Sequence, residues 1–271
     1  MTTLCGAPQT GSAATDMLDT ECLKTSEPQP SDQWPMGGTT VIVVGLAREV
    51  APLVKAWSKK VLDHAGREFE IFENKSVIVI CGGIGAEAAR RACEAAIANY
   101  HPDALVSAGF AGALTASQKA GDVLFPEQIV DVRDGSRFHA VTGEGRLVSF
   151  SEIAGQEQKA SLAKAYEAKA VDMEAAPVAR CAQMHGLRLM VVKAISDGAH
   201  QTLPDMRPFI DGSGKFQTGR LITHAALRPW LWPQLIVLAR NSAKASKALS
   251  GALQPFVNMW ISQASTAGTR D

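Results

Sequence analysis

Short apolar runs that end in glycine recur along this chain and are separated by stretches typical of helices. Three runs are each followed by a glycine turn: Val41–Val44 with Gly45, Val77–Ile80 with Gly82–Gly85, and Ala104–Ala108 with Gly109–Gly112. Continuous apolar runs of this length are typical of strands buried on both faces of a sheet. Strands that alternate with helices indicate the α/β class. We therefore predict a single three-layer domain with a mostly parallel, mixed central β-sheet flanked by helices.

The remaining pattern predicts further elements in the same order. Helices are predicted over about 48–64, 86–99 and 174–185, and further strands over 70–72, 123–130, 146–149 and 189–194. The C-terminal part, about 221–253, is predicted to be helical with interruptions near Pro229 and Pro233, because proline cannot continue a helix.

The ends of the chain differ in composition from its middle. Residues 1–38 are rich in Thr, Ser, Pro, Gln and Gly and are predicted to be a disordered tail. The domain is expected to span 39–260, followed by a flexible C-terminus at 261–271. No apolar run reaches the roughly 18 residues that a membrane span needs, and no signal peptide is apparent. Five cysteines without a CxxC pair favour a reducing compartment and no metal site, so a cytoplasmic location is expected.

The charge balance excludes one class of partner. Lysine and arginine number 27, as do aspartate and glutamate, so the formal net charge is zero. A surface that binds nucleic acid needs an excess of basic residues, so no nucleic acid is expected. No GxGxxG fingerprint in its dinucleotide setting and no GxxxxGK[ST] loop is present, so we expect a small-molecule ligand and no cofactor.

Two acidic segments are candidates for chemistry. Glu174, in Val171-Asp172-Met173-Glu174, lies where a helix is predicted to begin. It could bind sugar hydroxyls while Met173 packs on the sugar, or it could simply suit the helix dipole. Asp197 follows the predicted strand 189–194, where a partly desolvated carboxyl could act as a general acid or could cap the next segment.

Five segments in fixed order resemble one enzyme superfamily. They are VVGLAREV, CGGIGAEAA, SAGFAGAL, VDMEAA and KAISDGA, between Val41 and Ala199. Together they are similar to the purine nucleoside phosphorylases and the methylthioadenosine/S-adenosylhomocysteine nucleosidases. The following ISDGAHQTLP and LRPWLWPQLIVLARNS resemble the hopanoid-associated phosphorylase branch, whose members are thought to remove adenine from adenosylhopane. The resemblance implies a nucleoside phosphorylase-like fold.

The resemblance also implies roles for individual residues. Asp197 falls where the family aspartate protonates the purine, and Glu174 falls where the family glutamate binds the ribose hydroxyls, beside Met173. Glu49 falls near the glutamate that orients the attacking water in the nucleosidases. The pocket for the nucleophile or phosphate is assigned to Gly45, Arg48, Gly83 and Phe110, and the base pocket to Ser196, Phe150 and Ile153.

Two departures from the family pattern bear on the substrate. Phe110 stands where relatives commonly have Ser or Thr, which weakens the expectation of phosphate binding. The stretch between Asp131 and Val148 is short, which predicts an open 5′ end that suits a bulky, lipid-linked nucleoside. The apolar stretch around Trp230 and Trp232 favours a dimer or core face, with a membrane-surface helix as the alternative.

The resulting prediction is cleavage of the N-glycosidic bond of an adenosyl compound. Phosphorolysis of an adenosylhopane-type substrate, with inorganic phosphate as co-substrate, is the first expectation. A hydrolytic nucleosidase is the alternative, and a nucleoside-binding protein that has lost catalysis is the second alternative. A homodimer or larger homo-oligomer is expected by analogy with the family.

Overall fold

The fold is described by a computed structural model that covers residue 34 and residues 37–201, 203–212 and 214–267. Most of the predicted tail, residues 1–38, and the last four residues lie outside this described part. Within it the strands are β1 Thr40–Val44, β2 Ser58–His64, β3 Arg67–Asn74, β4 Val77–Cys81, β5 Ala104–Ala113, β6 Val123–Leu124, β7 Gln128–Asp131, β8 Arg137–His139, β9 Arg146–Ser149, β10 Ala170–Asp172 and β11 Arg188–Asp197. The α-helices are α1 Ala51–Val54, α2 Ala86–Tyr100, α3 Gln156–Tyr166, α4 Ala175–Met184, α5 Thr218–Ala226 and α6 Trp232–Ala267.

All of these strands join one mixed sheet. Its order is β2-β3-β4-β1-β5-β10-β9-β7-β8, and β11 pairs with β5 and carries β6. The centre is parallel, since β1 pairs in parallel with β4 and β5, and β11 pairs in parallel with β5. Antiparallel pairs lie toward the edges, as β2 with β3 and β7 with β8. The single α/β domain with a mixed central sheet that the sequence predicted is confirmed.

Alternate residues of the central strands enter two different cores. Val41 and Val43 of β1 belong to the core under α2 and α4, where alanines let the two helices approach closely. Ile42 and Val44 belong to the opposite core, under the C-terminal helix α6. Successive side chains of a strand point to opposite faces, so a fully apolar run needs a helical layer on each side. The three-layer arrangement follows from this requirement.

Two predicted elements need correction. The helix expected over 48–64 is only a 3-10 turn at Ala47–Glu49 and the short helix α1, after which β2 pairs with β3 at the sheet edge. Exposed charged residues of β2 have no apolar period that distinguishes a strand from a helix. The turn expected at Gly109–Gly112 is instead the second half of β5, which stays paired with β11 as far as Gly112.

The C-terminal helix is longer than the predicted domain end at residue 260, because α6 continues to Ala267. Trp260 of this helix is buried and stacks on Trp34 with ring centroids 5.1 Å apart. The Trp34 indole also donates to Thr40 Oγ1 at 3.4 Å. Residue 34 lies inside the predicted tail, yet its side chain forms part of the core under α6.

Replacing Trp34 therefore tests whether this residue contributes to the folded unit. Trp34→Ala should lower the free energy of unfolding by roughly 3 kcal/mol, because a large buried side chain leaves a cavity. Urea denaturation followed by circular dichroism measures the change. Trp230→Ala is the matched control, since Trp230 is 68% exposed, and it should leave stability almost unchanged. Equal stability of the two variants would contradict the packing of Trp34.

Candidate active site

A cavity of about 1140 Å³ opens at the carboxyl ends of the central strands. Such crevices are where open α/β sheets bind ligands. Glu49, Glu174 and Asp197 all line it, although they are far apart in sequence. Met173, Arg48, Ser196, Phe110 and Ile153 line it as well. The structure therefore brings together in one cavity most of the residues that the sequence singled out.

Glu49 follows β1 and is buried beneath the cavity. Its carboxyl accepts a hydrogen bond from the Leu46 backbone N–H and lies near the charges of Glu174 and Lys193. Burial, reinforced by the negative charge of Glu174, raises the pKa of Glu49 to about 8. A carboxyl group with a pKa near neutrality can take a proton from a bound water molecule and can also release it again.

Glu174 directly precedes α4 and is held by the glycine turn that precedes α2. Gly85 N–H donates to Glu174 Oε1 at 2.8 Å. Burial, together with the neighbouring Asp172 charge, raises the pKa of Glu174 to about 7. The side chain thus faces the cavity as an acceptor whose orientation is set by the backbone.

Asp172 has a different, structural part in the same motif. Its Oδ2 atom accepts the Ala175 N–H at 2.8 Å and caps α4, while Ser149 Oγ donates to Oδ1 at 2.5 Å. Lys193 Nζ lies 2.8 Å from Asp172 Oδ2, and both side chains are almost completely buried. The carboxylate that suits the helix dipole is therefore Asp172, and Glu174 is left for a ligand.

Asp197, at the end of β11, forms a buried ion pair with Lys159 of α3. The Lys159 ammonium also donates to the Gly198 carbonyl at 2.9 Å, and Ser196 Oγ donates to Asp197 Oδ1 at 2.7 Å. Lys159 and Asp197 both line the cavity, and their side chains are 3% and 7% exposed. The site therefore contains a buried cation that touches the predicted general acid.

The glycines of β5 make room for these groups. A Cβ atom at Gly109 would lie 2.9 Å from Glu49 Oε2, and the φ of +150° at this residue disfavours other side chains. A Cβ atom at Gly112 would lie 3.0 Å from Asp197 Oδ2 and 3.1 Å from Lys159 Cε. The glycine motif predicted as a turn is instead a strand whose missing side chains let three charged groups approach the sheet.

Gly83, assigned to the nucleophile or phosphate pocket, lies in the Gly82–Gly85 turn, and free backbone N–H groups in such a turn can bind an anion. All four groups already donate within the protein: Gly82 to Val44 O at 2.9 Å, Gly83 to Gly45 O at 2.8 Å, Ile84 to Gly214 O at 2.7 Å, and Gly85 to Glu174 Oε1 at 2.8 Å. The Arg48 guanidinium lies 4.7 Å from the centre of the Phe216 ring. In this structure, therefore, none of these four N–H groups is available to an anion.

The other predicted pocket residues fall in several places. Gly45 adjoins Glu49, since a Cβ atom there would lie 3.4 Å from Glu49 Oε1, and Gly83 lies under Gly214. Phe150, assigned to the base pocket, packs instead against the small apolar cluster of Leu162 and its neighbours. The cavity lining includes Ile153 and not Phe150, so the assignment of Phe150 to the base pocket stays a prediction.

The side of the cavity opposite the acidic residues is apolar. It is formed by residues within 203–212 and 214–216 and by α5 and α6, through side chains that include Leu203, Met206, Ile210, Phe216, Leu221, Leu235 and Leu238. The total volume exceeds the roughly 300–1,000 Å³ that is usual for small-molecule sites. The cavity therefore combines an acidic floor at the sheet with a large apolar wall.

Sequence reasoning missed the two lysines of the site. Lys193 carried a signal, because a charged residue inside the apolar strand β11 must be paired when it is buried. Lys159 carried none, since it follows the polar residues Gln156–Gln158 on α3, as a surface lysine would. Its partner is 38 residues away in sequence, and only the folded chain brings the two together.

Comparison with known proteins decides the family. The model of the "Phosphorylase superfamily" matches residues 39–151 and 141–215, which is more than half of the chain. The chain belongs to the phosphorylase superfamily. It is thus an enzyme of the class that cleaves nucleosides, and the family predicted from the sequence motifs is confirmed.

Relatives within the phosphorylase superfamily include nucleosidases. A 5′-methylthioadenosine/S-adenosylhomocysteine nucleosidase of Marinomonas sp. (strain MWYL1) is 26% identical over 202 residues, covering 60% of this chain and 87% of the relative. The fold is similar to that of Arabidopsis thaliana 5′-methylthioadenosine nucleosidase, with a TM-score of 0.64 and 18% identity over 83% of this chain and 96% of that one. The fold is also similar to that of a Helicobacter pylori nucleosidase variant with 5′-methylthioadenosine in its active site. The TM-score is 0.62 and the identity 18%, over 82% of this chain and 99% of that one.

The raised pKa of Glu49 predicts a stability that depends on pH. The folded protein holds the proton up to about pH 8, whereas the unfolded chain loses it near pH 4.3. Stability therefore falls as pH rises through this window, by roughly 1.4 kcal/mol for each unit of pKa difference. Glu49→Gln removes the free-energy cost of keeping this buried carboxyl protonated or ionising it. The variant should therefore stabilise the protein more at pH 9 than at pH 5.

Urea denaturation of wild type and variant at both pH values measures the difference. The exposed Glu68→Gln is the control and should give the same small change at each pH. A Glu49→Gln effect that is independent of pH would show that this carboxyl is not held protonated by burial.

The buried Lys159–Asp197 pair predicts strong coupling between its two residues. Lys159→Met and Asp197→Asn should each destabilise the fold by about 3 kcal/mol, because each leaves a buried charge without its counter-ion. The double variant should lose at least ~1 kcal/mol less than the sum. The exposed pair Lys59–Glu70 is the control, and its cycle should give a coupling below ~1 kcal/mol. Additive losses at 159 and 197 would contradict the pair.

Proposed function

We propose that this enzyme cleaves the N-glycosidic bond of an adenosyl nucleoside that carries a bulky apolar group at its 5′ end, releases adenine and uses water as the nucleophile. The observation that carries the proposal is one cavity of about 1140 Å³ that joins three acidic side chains to an apolar wall. The adenosyl part is also supported by the names of the Marinomonas and Arabidopsis relatives.

Glu174 binds the ribose of the substrate. Its carboxylate, oriented by Gly85 N–H, accepts hydrogen bonds from the 2′- and 3′-hydroxyls, and Met173 packs on the sugar. As the bond to the base lengthens, positive charge develops on the ribose. The negative charge of Glu174 then stabilises the transition state more than the ground state.

Asp197 and its ion-pair partner Lys159 act on the leaving base. As the bond breaks, its electron pair moves onto the purine, and the Lys159–Asp197 pair passes one proton through the Asp197 carboxyl to the ring nitrogen N7. The Lys159 ammonium, which donates to that carboxyl, supplies this proton and regains one from water after adenine has left. Ser196 fixes the other carboxylate oxygen through its 2.7 Å hydrogen bond.

Glu49 activates the water molecule that acts as the nucleophile. A water molecule beside this carboxyl attacks the anomeric carbon and gives its proton to the ionised form of Glu49. Because the pKa of Glu49 is about 8, the fraction of this form rises as the pH approaches 8. The paired N–H groups of the Gly82–Gly85 turn and the contact of Arg48 with Phe216 favour water over phosphate here. Phosphorolysis, expected first from the sequence, stays a prediction that the same assay tests.

The apolar wall accommodates the 5′ substituent. Leu221, Leu235 and Leu238 offer it a surface that excludes water, which favours a hydrocarbon over a charged group. An adenosylhopane-type compound, as the hopanoid-associated branch implies, has this chemistry. Use of no cofactor and assembly as a homo-oligomer complete the proposal, as the family resemblance implies them.

Chromatography of adenine released from a series of substrates tests the proposal. Adenosine, 5′-methylthioadenosine and 5′-alkylthioadenosines of increasing chain length are incubated with and without phosphate. We expect kcat/KM to rise with chain length, by up to ~4-fold for each buried methylene group, and phosphate to have no effect. Acceleration by phosphate would establish phosphorolysis, and no preference for longer chains would remove the lipid-linked substrate.

Substitution of Asp197 tests the chemistry separately. Asp197→Asn should lower kcat by ~10²-fold or more, because the leaving base loses its proton donor. Asp63→Asn, at an exposed position on β2, is the matched control and should retain full activity. Full turnover in Asp197→Asn would remove its assignment as general acid. Binding of adenosine without release of adenine by the wild type would favour the binding-protein alternative.

A further inference from the structure

The exposed apolar side chains of this protein are concentrated in one segment. We define the C-terminal elbow as residues 218–240, which comprise α5, the 3-10 turn Pro229–Leu231 and the first turns of α6. Of the eight large hydrophobic side chains that are exposed within the described residues, six lie in this elbow: Ile222, Leu227, Trp230, Trp232, Ile236 and Val237. No residue of helix α5 is fully buried against the rest of the chain. An apolar cluster of this kind marks a surface that binds something.

The charge of the same region selects the partner. The sequence from 212 to 270 contains seven lysine or arginine residues and no aspartate or glutamate. Within the elbow, Arg220 and Arg240 are exposed beside the apolar side chains. Basic residues interleaved with tryptophan and leucine are typical of segments that bind the surface of an anionic bilayer. A symmetric contact between two elbows would bring like charges together with no acid of the segment to pair them.

The elbow is also continuous with the cavity. Leu221 and Ala225 of α5, and Leu235 and Leu238 of α6, line the apolar wall, while their neighbours on the same helices face outward. Ile222 lines the cavity and also faces outward, since its side chain is 63% exposed. The wall of the substrate cavity and the exposed apolar surface are therefore two sides of one layer of helices.

We propose that the C-terminal elbow lies in the interfacial region of an anionic membrane, with its apolar side chains among the lipid headgroups and upper acyl chains. None of the described helices has both the length and the apolarity to span a bilayer. A second part of the inference rests on the proposed function: the cavity receives the apolar part of its substrate from the membrane through the elbow.

Vesicle sedimentation with the full chain tests the surface. Vesicles of phosphatidylglycerol and phosphatidylcholine in equal parts should bind the protein, and vesicles of phosphatidylcholine alone should bind it less. The variant L227S/W230S should lower the partition coefficient by at least ~10-fold, because two side chains that enter the bilayer are lost. The control V61S/M184S changes the two large apolar residues that are exposed outside the elbow in the described part of the chain, and it should bind like the wild type.

Charge and activity measurements complete the test. R220E/R240E should reduce binding to the anionic vesicles and not to the neutral ones. Neither Leu227 nor Trp230 lines the cavity, so L227S/W230S should cleave a soluble 5′-methylthioadenosine-type substrate at the wild-type rate. Membrane binding is thus measured without the reaction, and failure of the proposed function would leave the sedimentation result standing.

Two results would overturn the inference. Equal vesicle binding by wild type, L227S/W230S and V61S/M184S, or no binding by any of them, would show that the elbow is not a membrane surface. Light scattering that finds an oligomer in the wild type and a monomer in L227S/W230S would show that the elbow contacts another copy of the chain.

Discussion

The ion pair between Lys159 and Asp197 is the interaction on which the site depends. Both side chains are almost fully buried, and a buried charge without its partner costs several kcal/mol. The pair therefore requires α3, the end of β11 and the glycine-lined half of β5 to keep one relative position. A second buried pair, Lys193 with Asp172, imposes the same requirement on β10 and β11. Together the two pairs fix the carboxyl ends of the strands around the cavity.

Much of the fold could be predicted because its signals are local. The apolar runs at Val41–Val44 and Val77–Ile80 have the pattern of strands covered on both faces, and each one alternates its side chains between two cores. The acidic floor of the cavity could also be predicted, since Glu49, Glu174 and Asp197 each lie at or near the end of a strand or helix. The carboxyl ends of parallel strands meet at one edge of a sheet, so residues there converge whatever their separation in sequence.

What the sequence could not predict depends on contacts between distant segments. Strand β2 forms because β3 offers it an edge, and its own residues favour neither strand nor helix. The Gly109–Gly112 motif looks like a turn until β11 pairs alongside it. Likewise, the sequence does not distinguish a buried lysine from an exposed one. Lys159 differs from the surface lysines only through its ion pair with Asp197 at the end of β11. Phe150 packs against a core cluster and Ile153 lines the cavity, because nearby residues of one segment can face different surroundings.

In the proposed reaction the acidic floor performs the chemistry and the apolar wall selects the substrate, so one bound nucleoside has to contact both Glu174 and Asp197. A crystal structure with an uncleavable adenosine analogue shows whether it does. We expect the purine N7 within hydrogen-bond distance of Asp197, the ribose hydroxyls on Glu174 and the 5′ substituent against Leu221. A nucleoside bound away from the cavity, or one that reaches only one of the two carboxyls, would show that Glu174 and Asp197 do not act on one substrate.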